Sequence, residues 1–216
     1  QLSYESEIRL KPKYSRIYGI KSKYKDRFVI DDATELLTAW RFDLPAKTLY
    51  ARHREKGVED FFAKSVYENH LEVWGGFTEK RPAKNNLEDF YNAYHSILEE
   101  MKTTGFDEEK SFVPVNDNHM LLNGAHRTAA AITYGVPLIC KESAPDAGQL
   151  MCSADYFLNK RDIVPTGLDR DTADAMALEY MRLKKNVFVT SLCAHCRPHF
   201  DKISQIFTKN NVSVVY

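Results

Sequence analysis

The sequence predicts a mixed α/β (α+β) domain that carries a large helical insert. Three observations predict it. Short apolar runs ("RFVI", "SFVPV", "HMLLN", "VPLICKE") alternate with amphipathic or alanine-rich stretches. The region from about 31 to 105 reads as largely helical, with three- and four-residue apolar spacing from Leu87 to Met101. The last thirty residues run strand, helix, strand. The expected division is therefore one domain over 1–185, with its helical insert at about 31–105, and the start of a second α/β unit over 186–216. The chain opens on Gln1 and stops on a strand without a following partner, so an excised piece is the expectation.

Residues 1–30 mix basic residues with Tyr4, Tyr14, Tyr18 and Tyr24 and end on "RFVI", an arm leading into a strand. Asp31 and Asp32 then offer an N-cap for "ATELLTAW". Pro45 suits the first turn of a helix carrying Leu49 and Tyr50, Gly57 divides it from the next, and Gly75-Gly76 closes that one. "RPAKNN" reads as a breaker. From Leu87 to Met101, the residues Leu87, Phe90, Tyr91, Tyr94, Ile97, Leu98 and Met101 make one apolar face. Asn86 and Asp89 form a capping pair before it, and Gly105 ends it. "SFVPV" and "HMLLN" read as two short strands around the turn "NDN", where Asp117 serves geometry. "AHRTAAAITY" is a helix stopped by Gly135, and "VPLICKE" is a strand. Residues 143–170, with Pro145, Gly148, Pro165 and Gly167, are loop-rich, and a helix follows from about Thr172 to Lys184.

Composition excludes several function classes. Thirty basic residues balance thirty acidic ones, so no global field favours nucleic acid or an anionic membrane. No apolar stretch approaches the ~20 residues that cross a bilayer, and "QLSYESEIRLKPKYSRIYG" has no secretory apolar region. Four cysteines do not make a disulfide framework, so a reducing, cytoplasmic setting is expected.

The junction "NGAHR" (Asn123 to Arg127) stands between a strand and an alanine-rich helix. A helix N-terminus exposes N–H groups without intrahelical partners, and its dipole favours an anion. Gly124 lets a ligand approach the backbone, Arg127 suits bidentate phosphate contact, and His126 can bond a phosphate oxygen or move a proton. Thr128 and the alanines after it let the helix pack closely on a sheet. Two readings stay open on these residues: a phosphate cradle, or a tight turn with two solvated side chains.

The order strand–turn–strand–"NGAHR"–"TAAAI"–"GVPL", residues 112–142, resembles the core of the ParB/sulfiredoxin superfamily. The resemblance implies a nucleotide site at the junction, formed by Asn123, Gly124, Ala125, His126, Arg127 and Thr128. Ala125 stands where sulfiredoxins carry their reactive cysteine, so sulfinic reductase chemistry is not implied. No Glu-Asn-x-x-Arg motif and no helix-turn-helix follow the core, which argues against DNA as a partner.

Arg41, Asp43 and Lys47 in "RFDLPAK", with Tyr67, His70 and Glu79 in "YENHLEVWGGFTE", put polar residues on the insert. One reading is an Asp43–Lys47 surface pair; the other is an acceptor pocket in which Arg41, Asp43, Lys47 and His70 bind substrate. Both stretches resemble segments flanking such cores in polysaccharide-biosynthesis proteins, which implies a glycan or sugar-phosphate context. Glu142, at a strand end, is a second catalytic candidate beside His126. "CAHCRPH" (Cys193, His195, Cys196, His199) leaves three readings: a redox pair, a zinc site or a plain loop.

The expected function is a nucleotide-dependent transferase moving a phosphoryl group to a small hydroxylated or glycan acceptor, with ATP or CTP and Mg²⁺. The alternatives are a glycosyltransferase using a nucleotide sugar and a non-catalytic nucleotide-binding module. The sequence leaves oligomeric state open.

Overall fold

A computed structural model of the chain describes residues 3–4, 24–57, 60–80, 82–116, 118–143, 152–184 and 205. The expectations for the basic arm, for Asp117, for Pro145 and Gly148, for "CAHCRPH" and for the unit at 186–216 lie outside these residues.

The chain is mixed helix and strand with small sheets. Its main sheet has the order β1 (Ser3–Tyr4), β2 (Tyr24–Ile30), β6 (Leu138–Ser143), β5 (Val113–Val115). β2 runs antiparallel to β6, with Phe28 opposite Cys140 and Ile30 opposite Leu138. β5 runs parallel to β6, with Val113 opposite Cys140 and Val115 opposite Glu142. Parallel neighbours need a crossover, and α4 (Ala125–Tyr134) supplies it. Pro114, which has no N–H to give a ladder, sits in β5 at the end of this order.

The first long helix, α1 (Asp43–Glu55), is buried along most of its length, including Asp43, Lys47 and Thr48. A helix covered on all sides is a central one. One of its sides joins Leu44 and Ala51 to Phe28, Tyr67, Tyr94, Ala130 and Leu138 in the main core. Its other side puts Ala46 and Leu49 with Val66, Phe157, Leu168 and Met176 in a second core. α4, α2 (Phe61–Gly75) and α6 (Arg170–Leu183) pack directly on it, while α3 (Leu87–Thr103) packs on α4 and the short α5 (Ala154–Asn159) on α2 and α6.

The helix signals act as their chemistry dictates. Asp60 accepts from the N–H groups of Phe62 and Ala63 at the start of α2, and Gly76 ends it at φ 59°. Asn86 accepts from Asp89 N at 3.0 Å, while Asp89 reaches back to Asn85 N at 2.8 Å. The apolar face of α3 buries Phe90, Tyr91, Tyr94, Leu98 and Met101 as its spacing requires.

Four expectations need correction. Asp32 caps only a 3-10 turn over Ala33–Leu36, not a helix reaching Trp40. "HMLLN" is not a strand: Leu121 makes a single bridge to Val115. The Asn116 side chain takes the N–H groups of Asn118 and Met120, and His119 has φ 55°, so the segment cannot run extended. The breaker "RPAKNN" includes part of a small hairpin, β3 (Glu79–Lys80) with β4 (Ala83–Lys84). The loop-rich stretch contains α5, capped by Ser153 on Tyr156 N. Among the described residues no helix is long and apolar enough to cross a membrane.

Candidate functional site

The backbone around Arg41 is fixed by Cys152, whose N–H donates to Trp40 O (2.9 Å) and whose carbonyl accepts from Phe42 N (2.8 Å). Arg41 is thereby held at the entry of α1, 2% exposed. Its guanidinium bonds the Asp43 carboxylate through two nitrogens, each at 2.8 Å, and Leu121 O through the third at 2.8 Å. Asp43 opens α1, where the helix dipole favours a negative charge. One turn on, Lys47 Nζ donates to Asp43 Oδ2 (3.0 Å), to Asp43 O (3.3 Å) and to His70 Nε2 (3.0 Å). His70, fully buried on α2, donates from Nδ1 to Tyr67 O at 2.5 Å, which leaves Nε2 bare to accept from Lys47.

The network holds two cations, one carboxylate and one imidazole that burial, then Lys47, keeps well below its usual protonation range. One positive charge is left in excess. Its effect shows on each partner. Burial alone would raise Asp43, yet Arg41 and Lys47 outweigh it and hold the carboxyl far below the usual range. Burial is outweighed by Asp43 at Arg41, which rises, but at Lys47 burial prevails and the ammonium falls below its ordinary value. A single carboxylate serves two cations, and Lys47 carries the shortfall.

Arg41, Asp43 and Lys47 line a cleft of about 150 Å³ together with Trp74, Asn123, Gly124, Ala125 and His126. The last four belong to the start of α4. Gly124 stands at φ 89° and no side chain caps the helix, so its first N–H groups add to the positive field. Sites that enclose a whole drug-sized ligand measure ~300–1,000 Å³; this cleft suits the anionic end of a larger molecule. A larger cavity, about 460 Å³, lies between α1, α2 and α3. There Arg54 and Lys64 face Asp60 and Glu88, and Asp60 is occupied by its cap and by His53, so no charge excess arises.

The structure thus brings Arg41, Asp43, Lys47 and His70 into one network, and the first three to the same cleft as Asn123, Gly124, Ala125 and His126. The pair Asp43–Lys47 is buried and not a surface bridge. Glu79 also lines the cleft, joined to Lys84, a residue that the reading of "RPAKNN" as a breaker passed over. Three nominated residues lie elsewhere. The Arg127 guanidinium lies against Gly124 and donates to Phe112 O at 2.8 Å, beside a separate small cavity with Lys110 and Asp107. Thr128 is fully buried and is not among the cleft's lining residues. Glu142 pairs with Val115 in the sheet and is not among the cleft's lining residues. Cys140 and Cys152 are free and buried, and burial pushes both thiols up to about 12, which makes them inert.

These placements separate His126 from Arg127 experimentally. Arg127→Ala is expected to lower stability by ~1–3 kcal/mol, since the Phe112 carbonyl loses a charged donor. It should lower anion affinity through the loss of its charge alone, and by less than the loss of the buried Lys47 charge, since the guanidinium faces Phe112 O and not the cleft; denaturant unfolding and calorimetric titration read the two effects.

No protein-family model matches the chain, and no curated protein or solved structure is detectably similar to it. The site's own geometry carries its reading.

Proposed function

We propose that the protein is a nucleotide-dependent transferase that holds phosphate groups in the cleft at the start of α4 and moves a phosphoryl group to a small hydroxylated acceptor. The observation that carries this reading is the buried excess positive charge of Arg41 and Lys47 over Asp43, opening on an uncapped helix N-terminus. A buried charge without a counter-charge is costly, and an anionic ligand supplies the counter-charge. The strand–helix–strand order β5–α4–β6 supports the likeness to ParB/sulfiredoxin cores, in which this junction meets nucleotide phosphates. Preorganised N–H donors and fixed cations also stabilise charge that develops on a transferring phosphoryl group.

Mg²⁺ fits the protein side of this cleft poorly. Both Asp43 oxygens are engaged by cations, and among the described residues no group of three or more histidines, cysteines or carboxylates could hold a metal. No step of the proposal is routed through it.

A second reading, a nucleotide-binding module without chemistry, has one observation in its favour: the cleft carboxylates Asp43 and Glu79 are both paired with cations, which leaves neither as a ready base. A thermal-shift panel of ATP, CTP, nucleoside diphosphate sugars and pyrophosphate, each with and without Mg²⁺, tests the proposal. Stabilisation grows with the logarithm of occupancy, about 2.7 kcal/mol at a hundredfold excess over Kd. Nucleotides are expected to raise Tm, and a panel with no shift overturns the proposal. Nucleotide binding without turnover on any hydroxylated acceptor favours the second reading.

A further inference from the structure

Tyr67 is fully buried, and its ring packs in a cluster with Tyr50 (centroids 4.8 Å apart) and Tyr94 (5.6 Å), which also lie 6.0 Å from each other. Its hydroxyl stands 2.9 Å from His126 Nε2, and among the described residues this is the hydroxyl's sole hydrogen-bond partner. A phenol has one proton to give, and a buried O–H without an acceptor bears the full cost of its lost water. Burial among neighbouring tyrosines holds the phenol well above its usual range, so that proton stays on. It must be donated, and Nε2 must receive it. The ring itself is neutral, because burial, then Lys47 and Lys84, holds it well below its usual range.

A neutral imidazole that accepts at Nε2 carries its proton on Nδ1. That nitrogen has no hydrogen-bond partner among the described residues. It is also absent from the buried polar atoms left without one, so it is not sealed in. The ring lines the cleft beside the first N–H groups of α4. The same residue sets the other histidine too, since the Tyr67 carbonyl takes the Nδ1 proton of His70.

We propose that Tyr67 is a positioning residue that fixes His126 as the Nδ1–H tautomer, so that His126 donates a hydrogen bond to an oxygen of the bound phosphate group and is not a base. The inference rests on the anion-site reading above and narrows the role of one side chain within it. The cleft then presents hydrogen-bond donors at this edge: the α4 N–H groups and His126 Nδ1–H. It is matched to a fully ionised, acceptor-only group such as the diphosphate of a nucleotide.

The test is long-range ¹H–¹⁵N correlation of the ¹⁵N-histidine-labelled protein, with pyrophosphate titrated by calorimetry. The signals of His126 are assigned with His126→Gln. The parent is expected to show Nδ1–H at His126. Tyr67→Phe keeps the ring in its stack, and should release the tautomer and weaken pyrophosphate about three- to tenfold, the worth of one hydrogen bond. If Tyr67→Phe fails to fold, the tautomer of the parent protein alone still decides. An Nε2–H tautomer in a parent that binds pyrophosphate overturns this inference and leaves the anion site standing. A parent that shows Nδ1–H but binds no anion overturns the donor role together with the anion-site reading.

Discussion

Asp43→Asn is expected to destabilise the protein by about 3–5 kcal/mol, the cost of leaving buried cations without their partner. Asparagine keeps the shape, but it removes the charge that faces both Arg41 and Lys47. Its amide would also turn one N–H₂ donor against a guanidinium or an ammonium. Denaturant unfolding at pH 7 measures the loss, and a change under 1 kcal/mol would mean that the network is far better hydrated than its burial indicates. The parent's acid response has a definite order. His70 and His126 sit well below their ordinary range in the fold. The unfolded chain therefore binds protons that the fold excludes, and stability falls as pH drops under about 6.5. Asp43 is depressed in the fold, so its contribution is complete above about pH 4 and is lost as pH falls toward its folded value. Asp43→Asn should remove the Asp43 share of the second phase, leaving the smaller shares of other depressed carboxylates, Glu55, Asp60 and Asp169 among them, and keep the first.

Much of the fold is legible wherever a local rule has no competitor. α3 is read from seven apolar residues on one face and a capping pair, and α4 from the glycines at its two ends. The small hairpin and α5 are too short for periodicity to register, at two residues a strand and six residues. The site shows a different limit. Asp43 and Lys47 at i,i+4 look alike in sequence whether exposed or buried. Their burial comes from α4, α2 and the Cys152 segment, which cover α1 from distant parts of the chain. Adjacent residues on a helix point roughly 100° apart, so His126 and Arg127 do not face one cleft. The helix start turned His126 to the cleft and Arg127 back over Gly124. The motif is legible as a motif, but its division of labour depends on the helix's rotation against α1 and α3.

Lys47→Met is the complementary experiment, and it separates stability from binding. The substitution removes the excess charge and leaves Arg41 and Asp43 as a balanced bidentate pair. Methionine keeps an unbranched side chain of similar length, so the space beside His70 stays filled. The variant gains the desolvation cost that the buried ammonium no longer bears, and it loses the donors to His70 Nε2 and to the Asp43 carbonyl. These terms oppose each other, so stability should stay within ~2 kcal/mol of the parent. Binding has no such compensation. A unit charge ~6 Å from an anion, at an effective dielectric of ~20, is worth about 2.8 kcal/mol. Pyrophosphate or nucleotide affinity should therefore fall by roughly a hundredfold. Since all three Lys47 N–H groups are already engaged within the protein, the loss measures a field and not a severed contact. Such a field acts on every anion of equal charge, so pyrophosphate and nucleotide should weaken in parallel. A folded Lys47→Met protein that binds both as tightly as the parent would place the anion outside this cleft, and with it the α4 junction would be a turn alone.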